Sequence, residues 1–521
     1  MVSKIVMSSV AVIFFLGTLM LVNPSHLYVS PDETANAYFA NLFSQTGSFQ
    51  GTVDALASVL DGGLHPRSSV SVEGVLLPGS FLGLPFLYGA IATLVGSWVF
   101  WILTPLITIL AALAWGRLVE KLTSPLIGKL SFGLFLLHPA VWYYSSRGLM
   151  HNVLFVDLLV LCVWLFLERP IKQRLLNDLL SGLLLGLALF VRTSELYWIA
   201  GAVLLAGLFW LRQIPYRRIS LAFLGLLCGL TLLFVMNTLT YGSPLQTGYT
   251  IGATQIQDLQ SSDSLDALTT LPFGFHPMNA WRHMLAYGVQ MFWWLSALTL
   301  LGFFILCSQK HHRRSVRSSL LIASLISIWL VFMYGSWEIH DNPDPLQITM
   351  ANSYVRYWLP LYLFSTPMIA AAIGWISERG RSRFARGTIV TALCLLVLGL
   401  NIHATFLQGE DGLITMRRQL QESAAIQESV LRLTPGDAVI IVDRADKLFF
   451  PERRVVYPLR DEATYEAMPV LVSHVPLYYY GITFPQTDLD YLNDSRLKRM
   501  GLQIELIQTY DQESLYHIFS P

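Results

Sequence analysis

The chain has 521 residues, of which 54% are hydrophobic and only 13% charged, and its mean hydropathy is +0.52. A soluble protein carries about 25% charged residues, so most of this chain is built for lipid. The balance of 34 basic against 34 acidic residues excludes a nucleic-acid binder that works through overall positive charge. Cys162, Cys228, Cys307 and Cys394 all fall inside apolar runs without a CxxC pair, which excludes a secreted disulfide framework.

Taken in chain order, the first apolar run, 5–23, follows Lys4 and reads as an uncleaved anchor, because no small-residue cleavage site precedes the acidic segment after it. A long segment, 24–97, opens with Ser30-Pro31-Asp32-Glu33 and continues in a helical pattern from Thr34 to Phe49 with Ala37, Phe39, Ala40 and Phe43 apolar, expected to lie along the membrane surface. Residues 76–96 are apolar but broken by Pro78, Gly79, Gly83, Pro85 and Gly89, and read as an interfacial or re-entrant element. Runs of roughly the 20 residues needed to cross a bilayer follow near 98–116, 127–145, 151–167, 217–238, 288–308, 316–334, 356–377 and 387–407. The stretch 178–211 would be about 50 Å long as one helix, too long for one crossing. Interrupted by Arg192-Thr193-Ser194-Glu195, it reads as two short spans, giving eleven in all.

Lys and Arg counted over short loops fix direction. Lys4 and the clusters at 117–129, 169–174, 212–218, 310–317 and 379–386 hold 18, whereas the intervening loops hold only Arg67, Arg147, Arg192, Arg282 and Arg356. This places the N-terminus in the cytoplasm and the tail after 407 outside. The tail turns soluble in composition: a helix from Ile414 to Leu433, strands near 438–442, 454–457, 475–482, 502–509 and 515–519, and a polar helix around Asp488–Met500 predict a small α/β domain. Asn493-Asp494-Ser495 matches a glycosylation sequon.

The outward loops collect the ionisable groups: Asp32 and Glu33, Arg147, His151 and Asn152, Arg192 and Glu195, Tyr249, His276, Arg282 and His283, then Arg356 and Tyr357. Each has a structural alternative. Asp32 and Glu33 serve equally as a helix cap after Pro31; Arg192 pairs with Glu195 as a clasp; Arg147 and Arg356 snorkel to headgroups; His151 is a hydrogen-bonded core histidine. Isolated arginines with two acids at similar depth otherwise form a cationic cavity suited to a phosphate.

These residues resemble those of the GT-C membrane glycosyltransferases, in the protein O-mannosyltransferase and aminoarabinose-transferase branch. The resemblance rests on Ser30-Pro31-Asp32-Glu33-Thr34-Ala35-Asn36-Ala37-Tyr38, Ser145 to Asn152, Gly186 to Arg192, Tyr241-Gly242-Ser243-Pro244-Leu245 with Gly248-Tyr249, and Arg356-Tyr357-Trp358-Leu359-Pro360, and it covers residues 1–407. It implies a GT-C-like transmembrane domain over 1–407 and an extracytoplasmic α/β domain over 408–521. It also implies inverting transfer of a sugar from a polyprenyl-phosphate donor to a lipid, glycan or protein acceptor, on the outer face of what is expected to be the plasma membrane. Carried over by position, Asp32 is the general base, supported by Glu33, and Arg356, Arg192 and Arg147 hold the donor phosphate. His151, Asn152, Tyr249, His276 and Tyr357 are further substrate contacts. Metal-using relatives carry acids where this chain has His151 and Asn152, so no cofactor is expected, a divalent metal being the open alternative. A transporter, or a scaffold displaying the tail, is the competing reading.

Overall fold

The computed structural model describes residues 2–23, 25–51, 56, 64–257, 273–308, 314–339, 341, 347–456 and 462–521. Lys310, Arg313 and Tyr457, which entered the readings above, lie outside the described residues. In chain order, α1 (Val2–Thr18) leads to α2 (Pro31–Thr46), a hairpin of β1 (Ser69–Val72) and β2 (Val75–Pro78), and α3 (Gly83–Val95). Next come α4 (Leu103–Leu122), α5 (Pro125–Leu137), α6 (Pro139–Ser146), α7 (His151–Glu168), α8 (Arg174–Val191), α9 (Leu196–Trp210) and α10 (Tyr216–Tyr241). They are followed by α11 (Gly248–Gln257), α12 (Pro277–His283), α13 (Trp293–Ser308), α14 (Arg314–Gly335), α15 (Ser353–Tyr357), α16 (Leu359–Ser377), α17 (Arg383–Ile402) and α18 (Leu413–Leu433). The tail alternates β3 (Val439–Val442), α19 (Asp446–Phe449), β4 (Arg454–Val456), α20 (Glu462–His474), β5 (Leu477–Ile482), α21 (Gln486–Tyr491), β6 (Gln503–Tyr510) and β7 (Glu513–Phe519).

Among the described residues nine helices are long and apolar enough to cross a membrane, and up to eleven if each of two bent pairs is one span. The pairs are α5 with α6, bent by 47°, and the stretch Pro277–Gln290 with α13, bent by 96°. The eleven match the expected spans one for one, including the division of 178–211. By contrast α3 has 13 residues, about 20 Å of helix against about 30 Å of hydrocarbon.

The chain divides into two compact units. The helical unit comprises Met1–Leu21, Trp101–Leu233 and Ser261–Met416. One of its close helix contacts is between α8 and α10, where glycines replace side chains: a Cβ on Gly182 would fall 1.7 Å from the Ala222 carbonyl oxygen, and one on Gly225 2.0 Å from that of Leu179. At one end of that pair the fully buried Asp178 accepts from Arg169 at 2.8 Å and Arg218 at 3.0 Å.

The second unit comprises Val22–Phe100, Phe234–Gln260 and Arg417–Pro521. The tail therefore packs in one body with the first long loop. Its mixed sheet has the order β4-β3-β5-β7-β6, with β3 parallel to β4 and β5 and the remaining pairs antiparallel. All four residues of β3 are buried: Val439 and Ile441 face one cluster with Met468 and Leu471 of α20, and Ile440 and Val442 face another with Val430 of α18. Helices thus cover both faces, as a central parallel strand with a continuous apolar run requires. The polar segment Asp488–Met500 is α21 followed by a π-turn and a 3-10 turn. In the sequon, Asn493 is committed to the fold: it donates to the Ile504 carbonyl at 2.9 Å and accepts from the Ile504 N–H at 2.8 Å.

Candidate functional site

In the helical unit two of the three arginines predicted to hold a phosphate, Arg192 and Arg356, gather around one tyrosine. Helix α8 ends at Val191, and the chain turns through Thr193–Glu195 into α9. Arg192 stands in this break with extended backbone (φ −146°, ψ 86°) and 7% exposure. Its Nε and Nη2 donate to Glu195 Oε1 at 2.8 and 2.6 Å. Tyr334 Oη donates to the same oxygen at 2.5 Å, and Trp198 Nε1 donates to Glu195 Oε2 at 2.6 Å. The clasp between Arg192 and Glu195 is therefore present.

Arg192 and Arg356 both pack on the ring of Tyr357, their guanidinium carbons 5.1 and 5.3 Å from its centroid, and Tyr334 stacks on the same ring at 4.4 Å. Arg356 is half-buried, and its Nη1 lies 3.3 Å from Met150 Sδ. Arg147, 4% exposed, ends α6 with its guanidinium 5.9 and 5.6 Å from the Tyr143 and Tyr144 rings. His151 and Asn152 are buried at the start of α7, directly after Met150. Cationic charge held over aromatic faces keeps its positive field while the rings shield it from water, and guanidinium forks suit a phosphate. His276 is exposed before α12, its backbone N–H on Ser336 Oγ at 3.1 Å.

In the second unit Asp32 opens α2, and the local sequence explains why. Ser30 is the N-cap, Pro31 occupies the first turn, and Glu33 completes a capping box; Gly47, in the left-handed region at φ 70°, closes the other end. Glu33 Oε2 accepts from the Ser30 N–H at 3.0 Å and from its hydroxyl at 2.9 Å, and the residue is 2% exposed. Asp32 is half-buried, and its Oδ1 accepts from Ser68 Oγ at 2.5 Å. The two acids are therefore distinct: one closes the cap and the other reaches the surface. Burial, with the Glu33 charge beside it, pushes the Tyr28 phenol well above its ordinary value.

The helix is more enclosed than a surface-lying segment. Thr34, Asn36, Ala37, Phe39 and Ala40 are all buried, with Asn36 Oδ1 accepting from Ser80 Oγ at 3.5 Å. The enclosure comes chiefly from α3, where a Cβ on Gly89 would lie 2.7 Å from the Ala40 carbonyl oxygen and the Phe86 ring meets Phe43 at 5.2 Å; the hairpin, turned by Glu73 (φ 49°) and Gly74 (φ 84°) as a two-residue turn of the primed type, is held in turn by the segment after α10. Tyr241 Oη donates to the carbonyls of Pro78 and Ser80 at 2.8 and 3.2 Å. Gly248 packs backbone to backbone there, since a Cβ would lie 2.2 Å from the Pro78 oxygen. Tyr249, exposed, meets the Phe81 ring at 5.0 Å. The motif Tyr241 to Tyr249 thus clasps the end of β2. Thr34, Ala37, Tyr38 and Asn41 of α2 line a cleft of about 230 Å³ with Tyr28, Lys447 and Glu452.

Ser68 and Tyr334 are absent from the sequence-based assignments, and Met150 stands in the motif Ser145 to Asn152 without a role of its own. Ser68 lies 36 residues from Asp32 and carries no local signal, and Tyr334 resembles an ordinary apolar-span residue. Among the described residues no group of three or more His, Cys, Asp or Glu side chains is placed to hold a metal ion.

No family model matches the chain, and no curated protein matches it. Solved structures do. ArnT from Cupriavidus metallidurans bound to undecaprenyl phosphate is 12% identical, with 99% of this chain and 97% of that chain covered at a TM-score of 0.53. The oligosaccharyltransferase of Archaeoglobus fulgidus tethered to an acceptor peptide containing the NVT sequon is 11% identical, with 95% and 70% covered at a TM-score of 0.51. Both are membrane glycosyltransferases of one architecture, and this polytopic chain shares it: its fold is the GT-C fold.

Proposed function

We propose that the chain is an inverting glycosyltransferase that takes a sugar from a polyprenyl-phosphate donor and passes it to an acceptor hydroxyl on the extracytoplasmic face of the membrane. The observation that carries this reading is the division of labour at the start of α2, in a chain of GT-C fold. Glu33 closes the helix cap, and Asp32 presents a half-buried carboxylate that accepts a short hydrogen bond from Ser68. Such a carboxylate takes the acceptor proton as the acceptor oxygen bonds to the anomeric carbon. The bond from that carbon to the phosphate oxygen breaks, and its electron pair leaves with the polyprenyl phosphate.

Charge develops on the departing phosphate, where a preorganised cation is most effective. Arg356, aided by Arg147, is the residue assigned to it. Arg192 already shares its charge with Glu195, so its part is to hold Tyr357, on which Arg356 packs. His151, Asn152 and Tyr357 line the donor contacts, and Tyr249 and His276 are assigned to substrate as exposed groups. Binding of undecaprenyl phosphate by the ArnT structure supports a lipid-phosphate donor for this chain. No metal is given a role.

The test is transfer by the purified chain in lipid nanodiscs, using radiolabelled polyprenyl-phosphate sugars and a panel of lipid, glycan and peptide hydroxyl acceptors. Labelled product in the wild type and none in Asp32→Asn supports the reading. Binding of the donor with no product from any acceptor returns the chain to the carriers and scaffolds.

A further inference from the structure

Two adjacent residues of the tail hold the chain on both sides of Asp32. Asp446 is fully buried. It accepts from the Arg67 backbone N–H at 2.8 Å, from Arg67 Nε at 2.9 Å and from Arg67 Nη2 at 2.5 Å, and that same Nη2 also reaches the Arg444 carbonyl at 2.5 Å. Three bonds from one buried carboxylate fix both the main chain and the fork of Arg67. The next residue is Ser68, whose hydroxyl donates to Asp32. Ser68 has φ 63°, a left-handed conformation that a non-glycine residue keeps only where its surroundings impose it. Here they do: the Arg67 N–H is tied to Asp446 on one side, and the Ser68 carbonyl accepts from the Gly79 N–H at 3.0 Å on the other.

The second grip lies at the entrance to α2. Lys447 Nζ donates to the Val29 carbonyl at 2.5 Å, one residue before the Ser30 cap and three before Asp32. We propose that Asp446 and Lys447 are positioning residues for Asp32, acting through Arg67–Ser68 and through Val29, so that the tail domain aims the carboxylate of the first loop. This inference rests on the reading of Asp32 as the base. A buried ion pair is by itself weak support for more than local structure. What distinguishes this one is that both contacts of consecutive tail residues end on the segments that carry and orient a single carboxylate.

The experiment uses the full chain in nanodiscs with Ser68→Ala, Asp446→Asn, Lys447→Met, Arg67→Lys and the double variant Ser68→Ala/Asp446→Asn. Misplacing a catalytic group by an ångström costs up to about 100-fold in rate. The expected result is therefore a fall in kcat of about 10- to 100-fold in Ser68→Ala and Asp446→Asn, with the donor KM within about twofold of wild type. The double variant is expected to be no worse than its worse parent, because both act on the same contact. Losses that multiply in the double variant overturn the inference. If Asp446→Asn fails to fold, Lys447→Met and Arg67→Lys decide: lowered kcat at unchanged donor KM upholds it, and wild-type kcat in both overturns it. Asp32→Asn is measured alongside. An active Asp32→Asn removes the base reading and this inference with it. A dead Asp32→Asn beside tail variants of wild-type kcat removes this inference alone.

Discussion

Glu33 accepts both the backbone N–H and the hydroxyl of Ser30 on a single carboxylate oxygen, at 3.0 and 2.9 Å. That bond assigns Glu33 to the helix cap, and the consequences for its neighbour are measurable. Asp32→Asn keeps shape and removes basicity, so turnover is expected to fall about 10²–10⁴-fold with donor binding retained. Glu33→Gln keeps an acceptor for Ser30 and is expected to cost little activity, whereas Glu33→Ala loses the cap and about 1 kcal/mol of stability. Turnover and donor affinity of the three purified variants are the readouts; an active Asp32→Asn beside a dead Glu33→Gln reverses the roles.

Arg192 and Arg356 share the Tyr357 ring yet differ in what their loss would do. Arg192 and Glu195 are both nearly fully enclosed, so Arg192→Ala strands a buried carboxylate and is expected to cost about 3–5 kcal/mol. Arg356 is half-buried with a thioether beside it. Arg356→Ala is expected to leave the unfolding midpoint near wild type and to raise the dissociation constant for polyprenyl phosphate by about tenfold, the worth of a charge-assisted hydrogen bond. Thermal unfolding and native mass spectrometry with bound lipid separate the two. Equal stability loss in both variants would sink the distinction.

The spans were legible because about 20 apolar residues are a local property, and the break at Arg192–Glu195 was legible from the length of 178–211 together with its polar interruption. The cap at Ser30 was legible from the spacing of Ser30, Pro31 and Glu33. What stayed hidden depends on distance along the chain: Asp446 finds Arg67 across 379 residues and Ser68 finds Asp32 across 36, and no periodicity encodes either. Asn36 is a polar residue of the helix expected to lie along the membrane surface, yet it is buried, its Oδ1 accepting from Ser80 Oγ just after β2. In the tail the β-strand runs were legible from their apolar residues. Helix α20, with Pro469 inside it, went unread because proline normally argues against a helix interior.

The clasp at the end of β2 makes a sharp contrast between two glycines. A Cβ on Gly248 would lie 2.2–2.4 Å from the backbone of Pro78, Gly79 and Ser80, whereas one on Gly252 meets nothing nearer than 3.6 Å. Backbone cannot move aside as a flexible side chain can, so Gly248→Ala is expected to destabilise by about 1–3 kcal/mol and Gly252→Ala to be tolerated. Detergent-solubilised yield and unfolding midpoint compare them directly.

Metal dependence has a direct check. The α7 start offers His151 and Asn152, and the nearest acid on that helix, Asp157, is fully buried and bonded to Thr108 at 2.6 Å. Transfer is expected to persist in EDTA and to gain nothing from added Mg²⁺ or Mn²⁺. Activity abolished by EDTA and restored by one of these ions would require ligands from elsewhere in the chain.

Acid should loosen the segment that carries Ser68. Burial pushes the His65 imidazole below its ordinary value of 6.5, against the opposing pull of the Pro66 carbonyl, 2.9 Å from Nδ1, and of the Asp446 charge. The folded state therefore refuses a proton that the unfolded chain accepts. Its stability from this group is complete above about 6.5 and is lost as pH falls below that value toward the lower folded one. His65→Gln cannot titrate, so its unfolding midpoint is expected to decline less than that of the wild type between about pH 7 and pH 5. Midpoints of both proteins measured across that range in one buffer series decide the matter. Parallel declines would assign the acid sensitivity to other groups and leave His65 without a part in it.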